Sequence, residues 1–209
     1  MALQSSELSF KYNAQSSFVF PPLGLKPAES ALLLGPSGSG KSTLLHLLAG
    51  LLEPAKGEVT IGAQNLHALK GQARDRFRGE HLGIIFQRSH FLPYLTICEN
   101  LKLAAQAQNA RVSTKQIHHL LDRLNIGALA AKKPSDCSLG EQQRAAIARA
   151  ILHKPQLILA DEPTSALDDH NAQKVTKLLQ QMAQEAQAAL LIVTHDGRLK
   201  EHISKTYTL

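Results

Sequence analysis

Leu32-Leu33-Leu34-Gly35-Pro36-Ser37-Gly38-Ser39-Gly40-Lys41-Ser42-Thr43-Leu44-Leu45-His46-Leu47-Leu48 decides the fold. A strand-length apolar run enters a GxxxxGK[ST] loop, and an apolar-periodic helix leaves it, the context a phosphate-binding loop requires. The glycines let successive backbone N–H groups turn inward around phosphate oxygens, and the helix N-terminus adds the positive end of its dipole. Gly35, Pro36, Ser37, Gly38, Ser39, Gly40, Lys41, Ser42 and Thr43 are therefore candidate nucleotide contacts. Lys41 is placed to reach β- and γ-phosphates, and the Ser42 hydroxyl to ligate Mg²⁺. A chain of this length shows the pattern by accident less than roughly once in a hundred.

Two further apolar runs, residues 157–160 and 190–194, end on polar residues as this one does. The first delivers Asp161 and Glu162, the second His195. Ligands of open α/β sheets sit beyond the carboxyl ends of the strands, where all three would emerge. Asp161 suits a Mg²⁺ ligand, and Glu162 suits a group that polarises an attacking water. His195 could donate to charge developing on a γ-phosphate, although a lone strand-end histidine is commonly structural.

Between the strands the pattern is helical. Ile117, Leu120, Leu121 and Leu124 keep i, i+3, i+4, i+7 spacing after a cap at Ser113, with Gly127 as the expected stop. Val175, Leu178, Leu179 and Met182 repeat the pattern. Thr96 with Glu99 and Ser138 with Glu141 have capping-box spacing. Apolar strands alternating with helices predict an α/β fold built on a mostly parallel sheet. Residues 88–154 show helices and no clear strand, so they read as a helical subdomain inserted into a core of residues 1–87 and 155–209.

The chain has 209 residues, 44% hydrophobic and 19% charged, which suits one domain with a large insertion. Such a length buries roughly 70% of its unfolded surface and needs no staple. Cys98 and Cys137 are too few for a disulfide framework. No secretory signal and no run near the ~18 apolar residues of a membrane span is visible, so a soluble intracellular protein is expected. The net charge of +6 comes from scattered residues and decides nothing by itself.

Cys137-Ser138-Leu139-Gly140-Glu141-Gln142-Gln143-Arg144-Ala145-Ala146-Ile147-Ala148-Arg149-Ala150 resembles the LSGGQ signature and following helix of ABC-transporter ATP-binding subunits. Ser138 can cap a helix whose free N–H groups form a second anion site. The resemblance implies a P-loop NTPase fold with a RecA-like core, an antiparallel β edge and a helical insertion. It also implies ATP and Mg²⁺ as ligands, and a head-to-tail homodimer closing over two ATP molecules.

By the same resemblance, Tyr12 takes the place of the adenine-stacking aromatic, Gln87 of the glutamine that senses Mg²⁺ and the γ-phosphate, and Glu162 of the catalytic base. His195 matches the switch histidine, and Ser165-Ala166-Leu167-Asp168 the D-loop. Ser138, Gly140, Glu141 and Asp168 would complete the nucleotide site in trans. The implied catalytic set is Glu162, His195, Lys41 and Gln87, and the implied metal set Ser42, Gln87 and Asp161.

Residues 87–100, with Phe91, Leu92, Pro93 and Tyr94, resemble the stretch after the Q-loop glutamine in the MacB/LolD/FtsE group, as does the arginine-rich run of residues 74–80. That group implies a separate membrane permease with few spans, contacted near Phe91, Leu92 and Tyr94, and a peripheral place on the cytoplasmic face of the plasma (inner) membrane. The implied work is lipoprotein release, export or mechanotransmission. Relatives that act on nucleic acid carry coiled coils, zinc-binding cysteines or two nucleotide domains in one chain; with none of these here, no nucleic-acid partner is expected. A regulatory clamp with weak hydrolysis is the other alternative, disfavoured by Glu162 and His195.

The signature departs from the family at Cys137 and Leu139, which stand where leucine and glycine are usual. Leu139 adds bulk beside the trans nucleotide and removes easy access to positive φ. Cys137 has two open readings, an activated thiol near a helix N-terminus or an inert buried one. Phosphate release by Leu139→Gly is expected to equal or exceed that of the wild type; a clear loss would show that the leucine is required.

Overall fold

The computed structural model describes residues 1–13, 16–108, 110–165 and 167–209. In chain order its elements are β1 (Leu3–Ser5), β2 (Leu8–Asn13), β3 (Ser16–Phe20), β4 (Leu23–Leu25), β5 (Ser30–Leu34), α1 (Lys41–Leu48), β6 (Val59–Ile61), β7 (Gln64–Asn65) and α2 (Gln72–His81). There follow β8 (Leu82–Ile85), α3 (Ile97–Ala107), α4 (Thr114–Arg123), α5 (Leu139–Ile151), β9 (Leu157–Asp161), α6 (Asp169–Glu185), β10 (Ala189–Thr194) and β11 (Lys205–Thr208).

The strands predicted around the phosphate loop, the two acids and His195 are β5, β9 and β10, and they lie side by side. The sheet order is β11-β5-β10-β9-β8, parallel at every step. Alternate residues feed two cores. Leu32, Leu34, Ile158, Ala160, Leu190 and Ile192 join the helices on one face. Ala31, Leu33, Leu157, Leu159, Leu191 and Val193 join α1 on the other. Burial on both faces is why these strands read as unbroken apolar runs. Leu44, Leu45, Leu47 and Leu48 of α1 are fully buried, each worth about 1.5–3 kcal/mol, so the helix that carries Lys41 is fixed to the sheet.

The antiparallel sheet β4-β1-β6-β7 packs into the same core as α1, and the hairpin β2-β3 lies beside it. Among the described residues, the segment 88–154 holds α3, α4, α5 and short 3-10 turns, with no strand. All three predicted caps form reciprocal boxes, at Thr96–Glu99, Ser113–Gln116 and Ser138–Glu141. The stop expected at Gly127 comes earlier. Asn125 takes φ 57°, and the amides of Asn125 and Ile126 bond back to Asp122 and Leu121, a Schellman ending with asparagine in the left-handed position.

Three elements were not anticipated as such. The arginine-rich run is α2, a helix with no buried residue, tethered by Arg74 to Glu53 at 3.2 Å and by Arg78 to the Gly50 carbonyl at 3.3 Å. β8 and β11 widen the parallel sheet at both edges. β8 lies so close to α5 that a Cβ on Gly83 would collide with the Ala150 carbonyl. Gly83→Ala should therefore lower the urea midpoint, by an amount equivalent to about 1–3 kcal/mol of overpacking. An unchanged midpoint would mean that α5 yields without cost.

Candidate active site

After Leu34 the chain turns through the phosphate loop into α1. Gly38 and Gly40 take φ 83° and 91°, the left-handed region that favours glycine. Gly40 is also crowded, since a Cβ there would lie 2.7 Å from the Phe18 ring. Lys41 Nζ donates to the carbonyls of Gly35 at 2.8 Å and Pro36 at 2.9 Å, so its ammonium is folded across the loop. Ser39 Oγ is buried without a hydrogen-bond partner among the described residues. Tyr12 reaches over from β2. Its hydroxyl lies 3.2 Å from Thr43 Oγ1, its ring is edge-on to Phe10 and Phe18, and 57% of it stays exposed.

Register brings the acids to the same edge. β10 pairs Thr194 with Leu34 on one side and Val193 with Asp161 on the other. Burial pushes the Asp161 carboxyl above the usual carboxylate range, opposed by a hydrogen bond from Ser42 and by Lys41 and His46. Asp161 Oδ1 is buried and unpartnered among the described residues. A hydroxyl, a carboxylate and an unsatisfied oxygen beside the phosphate loop are hard oxygen donors that fit Mg²⁺. Gln87 lines a cavity of about 280 Å³ together with Arg88, Leu139, Gln142 and Glu162.

Glu162 leaves β9 with φ 46°, a left-handed conformation that costs roughly 1–3 kcal/mol in a non-glycine residue. Its amide donates to the Val193 carbonyl at 2.8 Å, extending the sheet ladder by one step. Its carboxylate is gripped by β10 and the segment after it. Thr194 Oγ1 donates to Oε2 at 2.9 Å, while the His195 amide and Nδ1 lie 3.0 and 2.8 Å from Oε1. Glu162 and His195 are thus joined, where the sequence had placed them only side by side. Thr194 is a residue that sequence reasoning missed, because it reads as the last apolar-run position of a strand.

The signature segment starts α5. Ser138 is its cap, and Glu141 Oε2 accepts from Ser138 N at 2.7 Å and Oγ at 2.8 Å. Those two bonds hold the Glu141 carboxyl below its usual range. Leu139 is the first residue of the helix and does not take positive φ, which corrects the conformational half of the argument about it. The bulk remains, with the side chain 65% exposed. Ser138, Leu139 and Gly140 share a cavity of about 520 Å³ with Arg144, Leu167, Asp168 and Asn171. Asp168 caps α6, accepting from the Asn171 amide at 2.9 Å. Ala166 of the D-loop stretch lies outside the described residues. The activated-thiol reading of Cys137 is overturned: burial first, then Glu141, pushes its thiol up, and Sγ donates to the Lys133 carbonyl.

Of the three expected permease contacts, Phe91 is half-buried. It packs against the helical core under Arg149, whose guanidinium sits 4.7 Å from the ring centroid. Leu92 and Tyr94 are exposed, Tyr94 by 87%. Their loop is held from beneath by buried Asn100, whose Oδ1 accepts from the Leu92 amide at 2.8 Å and whose Nδ2 shares its two protons among the carbonyls of Leu92, Leu95 and Thr96 at 3.0–3.1 Å. Side chains displayed on a loop fixed in this way suit recognition.

Residues 22–165 match the family described as ABC transporter. The chain belongs to the ABC transporter ATP-binding family. It is 43% identical over 187 residues to the lipoprotein-releasing system ATP-binding protein LolD of Hydrogenovibrio crunogenus, covering 88% of this chain and 81% of that one. The LolD of Legionella pneumophila (strain Lens) is 38% identical, with 90% and 83% covered. Among solved structures, the dimeric bacterial ABC transporter cassette MJ0796 superposes with a TM-score of 0.89 at 30% identity, covering 99% of this chain and 94% of that one. A post-hydrolysis state of the same cassette, bound to ADP and Pi, gives 0.87. The ABC chain described here is an ATPase with the P-loop α/β fold of these cassettes.

The raised pKa of Asp161 carries a stability consequence for this cassette. Ionising the carboxyl costs folding free energy above its folded pKa and nothing below its unfolded one. Nucleotide-free Asp161→Asn should therefore melt above the wild type near pH 7.5, with the gap closing as pH falls through the folded pKa toward the unfolded one. The same variant should lose Mg²⁺-dependent phosphate release. A wild type as stable as the variant across that range would contradict the assigned cost.

Proposed function

We propose that this chain is the ATP-hydrolysing subunit of a lipoprotein-releasing transporter of LolD type, driving a separate membrane permease. The observation that carries this reading is the 43% identity with a LolD protein across 88% of the chain. Among the described residues no helix is long and apolar enough to cross a membrane, so work on a membrane needs a partner. Leu92 and Tyr94, on the loop pinned by Asn100, are the surface we assign to that partner. The place of work is the cytoplasmic face of the inner membrane. Residues 88–154 form the unit that carries both this loop and the signature helix, and residues 1–87 and 155–209 the core.

The active form is a head-to-tail homodimer with two ATP molecules, a reading supported by the dimeric state of the MJ0796 cassette. The phosphate loop and Lys41 hold the phosphates of one ATP, and Tyr12 stacks on its base. Ser138, Gly140 and Asp168 of the second copy close the site, with Glu141 behind them. Ser42, Asp161 and Gln87 would hold Mg²⁺, which when bound neutralises charge on the β- and γ-phosphates. Glu162 orients a water for in-line attack and takes its proton. His195 holds Glu162 through its amide and Nδ1, and as the imidazolium, which carries a second N–H on Nε2, it donates to the charge that develops. Dimer closure, biased by γ-phosphate contacts, moves the permease-facing loops.

Tagged Glu162→Gln protein, incubated with Mg²⁺ and ATP and recovered from detergent-solubilised membranes, should bring down a permease with few spans and a large extracytoplasmic domain. Tyr94→Ala should weaken that recovery. A many-span permease, or soluble and nucleic-acid partners alone, would overturn the LolD-type assignment.

A further inference from the structure

Thr194 ends the central strand β10 with its side chain fully buried. Its hydroxyl oxygen accepts from the Asp196 amide at 3.0 Å, and its single proton is committed to Glu162 Oε2 at 2.9 Å. The other oxygen, Oε1, takes the His195 amide and faces His195 Nδ1, which must donate to an ionised carboxylate. A carboxylate offers about four lone-pair sites. Among the described residues three are engaged, two on Oε1 and one on Oε2, so the site left for a water proton lies on Oε2. That is the oxygen Thr194 holds. The left-handed backbone at Glu162 takes its side chain out of regular strand geometry, so its direction needs such a tether.

We propose that Thr194 is a positioning residue for ATP hydrolysis, fixing Glu162 Oε2 as the proton acceptor. This rests on Glu162 being the general base. In the step, the water oxygen bonds to the γ-phosphorus and its proton passes to Oε2. The bond from that phosphorus to the bridging oxygen breaks, and ADP leaves with the electron pair. The charged and titratable groups that face Glu162 are His195 after β10, Asp161 before it on β9, and Arg88 across the cleft. Valine at 194 keeps the branched shape and removes the hydroxyl, and with it both the donation to Glu162 and the acceptance from the Asp196 amide.

The test is steady-state phosphate release by the whole chain with Mg²⁺ and ATP. Thr194→Val should lose roughly 10- to 100-fold in kcat, as expected for a hydrogen bond to a charged group, with the KM for ATP within about twofold. Thr194→Ser should restore kcat. Thermal melting and binding of a fluorescent ATP analogue check folding, and Thr194→Ala replaces the valine variant if that one is unstable. Wild-type kcat in the variant lacking the hydroxyl, with Glu162→Gln inactive, would overturn the role of Thr194 alone. Full activity in Glu162→Gln would instead overturn the general-base reading.

Discussion

The register of β10 between β5 and β9 is the constraint on which the site depends. Thr194 is opposite Leu34, the last residue before the phosphate loop, and Val193 is opposite Asp161. A slip of one residue would exchange the two faces of a strand whose six residues are all buried, so the register is held by the whole core. From it follow the bond from Glu162 N to the Val193 carbonyl, the grip of Thr194 and His195 on the Glu162 carboxylate, and the nearness of Asp161 to Ser42. The chemistry is arranged by strand ends, and the helices hold the strands in place.

A second group of polar residues serves helix ends and the proposed trans surface together. Ser138 caps α5 and Asp168 caps α6, and both line the same cavity with Gly140 and exposed Leu139. Side chains that satisfy first-turn amides are by that fact next to a helix N-terminus, where an anion is favoured. Glu141 adds a carboxylate tied to Ser138 in the isolated chain. Any phosphate that takes the Ser138 hydroxyl must displace that bond.

Much of this was legible in the sequence because each signal had one physical meaning. Doubly buried strands showed as unbroken apolar runs, and the capping boxes and phosphate loop showed as spacing. What escaped depends on tertiary contact. β11, Lys-Thr-Tyr-Thr, is an edge strand too polar to announce itself, and β8 is four residues long with a glycine set by the approach of α5. α2 buries nothing and so carries no apolar stripe. Phe91 and Tyr94 look alike in sequence, yet one is half-buried against the helical core under Arg149 and the other stands in solvent. The pairing of Glu162 with His195 needs the positive φ at Glu162, which no residue type advertises.

In the proposed working state two copies of this chain close on ATP, each supplying a phosphate loop to one nucleotide and a signature helix to the other. Sedimentation velocity of Glu162→Gln protein tests it directly, with Mg²⁺ and either ATP or ADP. The account predicts a dimer with ATP and a monomer with ADP. A monomer in both, or the same dimer irrespective of nucleotide, would contradict it.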